Sequence, residues 1–168
     1  MAYNYEILER QRLAVILYSG QLARSEFGEV WKGLHDSPKF DWNFDEMALF
    51  GPDADLANLN FETVGEVAKK FATTHEQVKV GHVRRGAIVV SNQVQVLGAR
   101  LFLAFIAANP PPNVEIKLFS KVSSALNWIE EGRPAGDSGR HIDRDEVDRT
   151  LAALDQARRE ALGERRAG

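Results

Sequence analysis

The run LAVILY, residues 13–18, is six apolar residues in unbroken succession. A strand that faces water on one side alternates polar and apolar residues. An unbroken run is what a strand covered on both faces requires. GAIVV, residues 86–90, repeats the pattern further along the chain. Segments of helical length and period lie between such runs. A chain built this way is constrained to an α/β fold with helices packed on a sheet.

The remaining elements follow from period and punctuation. YEILE (residues 5–9) alternates and is expected to pair antiparallel with the 13–18 strand across a short polar turn. Ser25 is expected to cap a helix whose buried stripe is Phe27, Val30, Trp31 and Leu34, and Pro38 ends that segment. NFDEMALF (residues 43–50) is a third strand, stopped by Gly51-Pro52. Asn60 is placed to cap the next helix, with Leu59 and Val64 as a hydrophobic staple and Val64, Val67, Ala68 and Phe71 as its apolar stripe. After the 86–90 strand, Asn92 caps a helix running to about Ala108, and NPPPN forbids its continuation. EIKLF (residues 115–119) alternates like an edge strand, and KVSSALNWIE is a helix burying Val122, Ala125, Leu126 and Ile129. The order β, β, α, β, α, β, α, β, α predicts a five-stranded, mostly parallel sheet with right-handed crossovers and four helices.

Composition changes after Glu131. GRPAGDSGR holds three glycines and a proline in nine residues, as a flexible linker does. The expected organisation is a domain over residues 1–131, a linker over 132–142 and a charged C-terminal helix over 143–168. That helix carries a narrow stripe of Val147, Leu151, Leu154 and Ala161, with Asp145–Arg149 and Asp155–Arg159 as i, i+4 pairs. Alone it is marginal, so it is expected either to fray in solvent or to dock on its own domain or a second chain.

Most chemical classes lack their residues. There is no cysteine, which removes disulfides, thiol catalysis and thiolate zinc sites and fits a reducing compartment. The net charge of −3 gives no field for nucleic acid, and no aromatic interleaving accompanies Arg84-Arg85 or Lys69-Lys70. The N-terminus lacks an apolar signal segment, and the longest apolar stretch is broken by Arg100 and falls short of the ~20 residues that span a bilayer. The expectation is a soluble, cytoplasmic protein. No phosphate-cradling glycine motif and no nucleophile elbow occurs. His35, His75, His82 and His141 are scattered and are expected to be solvated surface residues, with no cofactor implied. Asp53 and Asp55, beyond the carboxyl end of the third strand, form a candidate ligand loop for Mg²⁺ with a phosphate, or simply a turn.

The helix after the fourth strand stands apart. Val94, Val96, Leu97, Leu101, Phe102, Leu103, Phe105 and Ile106 cover most of its circumference. A helix apolar nearly all round is covered on more than one side. The cover is expected from the C-terminal helix, a second copy, an apolar ligand or a membrane surface. Val96, Leu97, Phe102, Leu103, Phe105 and Ile106 are therefore the candidate interaction surface.

The opening YEILE…RLAVILYSG, the helix after the second strand, GAIVVSN followed by GARLFLAF, and the closing EIKLFSKVSSALNWI together resemble the SpoIIAA-like group, relatives of the bacterial STAS domains of anti-sigma-factor antagonists. The resemblance spans about residues 3–129. It implies a β/α superhelix serving as a non-catalytic regulatory or protein-interaction module, with a protein partner or a homodimer. In those antagonists a serine at the start of the second helix is phosphorylated and sets partner choice. LANLNFETVG has no serine there, and Thr63 is the only hydroxyl in that turn, hence the candidate phosphoacceptor. The same arrangement is similar to lipid-binding CRAL-TRIO domains, which implies an apolar ligand such as a lipid as the alternative.

Overall fold

A computed structural model of the chain describes residues 3–136 and 141–166. It contains β1 (Tyr3–Leu8), β2 (Leu13–Tyr18), α1 (Arg24–His35), β3 (Asp45–Phe50), α2 (Phe61–Glu76), β4 (Arg84–Val89), α3 (Gln93–Ala108), β5 (Val114–Phe119), α4 (Val122–Gly132) and α5 (Arg144–Arg166). The strands lie in the order β1-β2-β3-β4-β5. β1 pairs antiparallel with β2, and every later pair is parallel. The fold is thus α/β with a five-stranded mixed sheet and five α-helices.

A sheet laid down in chain order with right-handed crossovers places all the crossover helices on one face. That face carries α1, α2 and α3. The pleat sends Ala14, Ile16, Tyr18, Ala48, Phe50, Ile88 and Ile116 toward them. Leu13, Val15, Met47, Ala87 and Val89 point the other way, against α4 and α5. The unbroken apolar run of β2 is buried on both sides by this arrangement, all six of its residues.

One helix start differs from expectation. α1 begins at Arg24 and takes Ala23 as N-cap; the N–H of Ala23 donates to Glu26 Oε2 at 2.9 Å, so the acid three residues on takes the capping role assigned to Ser25. Asn60 and Asn92 cap as expected, accepting from the N–H groups of Thr63 and Gln95 at 2.8 and 3.0 Å.

α5 lies along β1 and β2 on the face opposite α3. Val147 and Ile142 are buried there, while Ala161 is exposed. α5 therefore does not cover α3. The core continues past residue 131: Arg133 is buried, its Nε 2.9 Å from Asp45 Oδ2, and its Nη2 donates to the Gln11 and Arg12 carbonyls. Residues 137–140 of the expected linker, like 167–168 of the tail, fall outside the described residues. No helix among the described residues is long and apolar enough to cross a membrane.

The Asp45–Arg133 pair is buried, and losing one member strands the other's charge. Arg133→Met is expected to cost about 3–5 kcal/mol. Arg158→Ala, which breaks a partly exposed pair with Asp53, should stay within about 1 kcal/mol. Urea unfolding of the two variants measures both.

Candidate functional site

Each crossover returns the chain to the amino edge of the parallel strands. The last turns of α1 and α2 and the first residues of β3 and β4 are thereby brought together. His35 closes α1, His75 lies in the last turn of α2, Glu46 is the second residue of β3 and Arg84 the first of β4. These four side chains meet. Glu46 Oε1 is 3.1 Å from Arg84 Nη1, 3.7 Å from His35 Nε2 and 4.0 Å from His75 Nε2.

The cluster is enclosed. The side chains of His75 and Arg84 are 1% exposed, that of His35 9% and that of Glu46 13%. His75 stacks on Phe71 with ring centres 3.9 Å apart, His35 lies 4.2 Å from the Trp42 ring, and the Arg84 guanidinium sits over Trp42 at 5.6 Å. His75 Nδ1 donates to the Phe71 carbonyl at 2.9 Å, and Nε2 faces Glu46. Nε2 of both histidines and Nε and Nη2 of Arg84 are buried without a hydrogen-bond partner. Burial pushes the Glu46 carboxyl upward, but the imidazoles of His35 and His75 and the Arg84 charge outweigh it and hold the group well below the usual glutamate range.

The expectation of solvated histidines holds for His141, whose side chain is 94% exposed, and fails for His35 and His75. Nothing in the local spacing of His35, Glu46 and His75 announces the cluster. The signal is topological: each sits where a crossover helix ends or the next strand begins. Glu46 and Arg84 also line the amino end of an apolar cavity of about 110 Å³ between the sheet and α1–α3, walled by Trp31, Phe71, Ala99 and Phe102 among others.

At the carboxyl edge the structure separates the other candidates. Asp55 Oδ1 accepts from the Ala57 N–H at 2.8 Å, a turn-forming contact, while Asp53 pairs with Arg158 of α5. The two acids of the expected ligand loop are therefore engaged separately. Ala54, between them, supplies its carbonyl to Gln95 Nε2 at 3.1 Å. Thr63 is half-buried in the first turn of α2, its N–H held by the Asn60 cap.

The candidate surface on α3 divides. Ile106 is buried, and Val96, Phe102 and Leu103 pack on the core under the helix. Phe105 lies 4.9 Å from the Phe61 ring, over Gly65, where a Cβ would come within 3.0 Å of it. Of the six residues only Leu97 is largely exposed, at 66%, and it is joined on the outer face by Val94 at 61%. A helical wheel registers the apolar circumference without telling which arc the sheet takes.

The depressed Glu46 carboxyl contributes stability that is fully present above its unfolded value of about 4.3 and is lost as pH falls below it. Glu46→Gln leaves Arg84 buried without its counter-charge. Its deficit in urea midpoint relative to wild type is expected to be large at pH 7 and to shrink by about pH 3.5, where the wild type has given up part of that contribution.

Comparison of the chain with protein-family models, with curated proteins and with solved structures finds no match in any of the three.

Proposed function

We propose that this protein is a non-catalytic interaction module of the SpoIIAA/STAS type whose contact surface is the outer face of α3 and whose partner is a second copy of the chain. The observation that carries the proposal is the stripe Val94, Leu97, Leu101, Ala104 and Ala108. It repeats at alternating three- and four-residue intervals, and Val94, Leu97, Ala104 and Ala108 are exposed. This is the spacing of a helix that packs against another helix. Phe61, 67% exposed on α2, lies against Phe105 of α3. Arg100 is the only charge in the sixteen residues of α3, so the face is almost wholly apolar, and a two-fold contact pairs the same patch from both copies.

A smaller set of observations supports the alternative, an apolar ligand. The cavity of about 110 Å³ is lined almost wholly by apolar side chains. An apolar cavity of roughly 150 Å³ admits benzene, so this volume favours a ligand of a few heavy atoms over a fatty-acid chain.

Leu97→Glu and Val94→Glu alter exposed positions and leave the core intact. Each is expected to convert a dimer to monomer in light scattering, with unchanged far-UV circular dichroism; a wild-type chain that is monomeric at high concentration contradicts self-association. For the cavity, benzene is expected to raise the melting temperature of the wild type and to lose that effect in Ala99→Val, which fills the space from α3.

A further inference from the structure

We propose that His35 Nε2, His75 Nε2 and Glu46 Oε1 form a binding site for a divalent transition-metal ion. The three ligand atoms lie within 4.8 Å of one another. The separations from Glu46 Oε1, 3.7 and 4.0 Å, are too long for hydrogen bonds. They lie a few tenths of an ångström beyond the roughly 3.3–3.6 Å that separates two ligands each ~2.0–2.2 Å from a tetrahedral zinc. Contraction by well under about 1 Å brings all three into range of one point.

Independent observations point the same way. Both histidines are at least nine-tenths buried, and Nε2 of each lacks a hydrogen-bond partner while facing the carboxylate. A buried ring nitrogen left unpaired is costly, and coordination satisfies it. His75 Nδ1 bonds the Phe71 carbonyl, the outer contact that orients a metal-bound imidazole. His35 and His75 also stand at the carboxyl ends of α1 and α2, where the helix dipoles favour a cation. Two imidazoles with one carboxylate select zinc, iron, cobalt or nickel over magnesium or calcium.

Arg84 bears on the charge of the site. Its Nη1 occupies one of the several acceptor positions of the Glu46 carboxylate. With a divalent ion added, the cluster carries net positive charge, so the ion brings an anion with it, a hydroxide or a small carboxylate. Nε and Nη2 of Arg84, buried and without partners, supply donors for that anion, and the apolar cavity beside them gives it room. The site lies at the strands' amino edge and is independent of the outer face of α3.

Full-length protein stripped with a chelator and titrated with zinc sulfate in a calorimeter is expected to take up one ion per chain, with a rise in melting temperature. Cobalt(II) is expected to give the intense visible absorption of a four- or five-coordinate site. His35→Asn and His75→Asn should each lose the calorimetric transition, and His82→Ala and His141→Ala should keep it. No zinc uptake by the wild type, uptake that persists in the His35→Asn/His75→Asn double variant, or uptake abolished by His82→Ala or His141→Ala overturns the proposal. If the buried variants fail to fold, the wild-type cobalt spectrum decides: the weak absorption of the aquo ion overturns it as well.

Discussion

Two consecutive acids at the start of β3 organise the amino edge of this sheet. The strand's two-residue period sends Asp45 to one face and Glu46 to the other. Each meets an arginine in the interior: Arg133, just past α4, on one side and Arg84, from β4, on the other. Neither charge could be buried alone. The Asp45 contact ties the segment after α4 back to β3 and to the turn after β1, through the Gln11 and Arg12 carbonyls. The Glu46 contact ties β3 to β4, beside the ends of α1 and α2. The back-to-back pairs thus lie at one line across the sheet.

At the carboxyl edge the buried polar contact is a neutral amide. Gln95 is fully buried at the start of α3 and donates to the carbonyls of Gly51 and Ala54, while its own oxygen accepts from the Ser91 N–H. Every polar atom of that amide is used, so it costs little to bury. The contrast with the amino edge is informative. There, four nitrogens of three buried side chains remain unpaired around a carboxylate. Four unpaired nitrogens gathered on one carboxylate are what the metal proposal rests on.

Much of the architecture was legible because it depends on local pattern. The unbroken run of β2 predicted two-sided burial, and the stripes of α1 and α2 predicted which residues face the sheet. Asn60 and Asn92 capped as their chemistry dictates. Ser25 misled because a hydroxyl at a helix start competes with an acid three residues into the first turn, and Glu26 won by reaching back to Ala23. The orientation of α3 was not legible, because an almost uniformly apolar helix carries no polar back to mark its outer side. The docking face of α5 was hidden for a related reason: its stripe shows that it packs, and only the topology shows that the free face of β1 and β2 lies opposite α3. The meeting of His35, Glu46, His75 and Arg84 was not legible because they lie on four different elements. Their common feature is position at a helix end or strand start, which becomes proximity once the strand order is known.

For the groups around Glu46 to act as one site, a metal ion must sit between them. Crystallography of the full chain at neutral pH, with anomalous diffraction collected on both sides of the zinc absorption edge after soaking in zinc, tests it most directly. An anomalous peak is expected about 2.0–2.2 Å from Nε2 of both histidines and from a Glu46 oxygen. Imidazoles turned away from the carboxylate, with Glu46 closed on Arg84 alone and no peak between them, would contradict it.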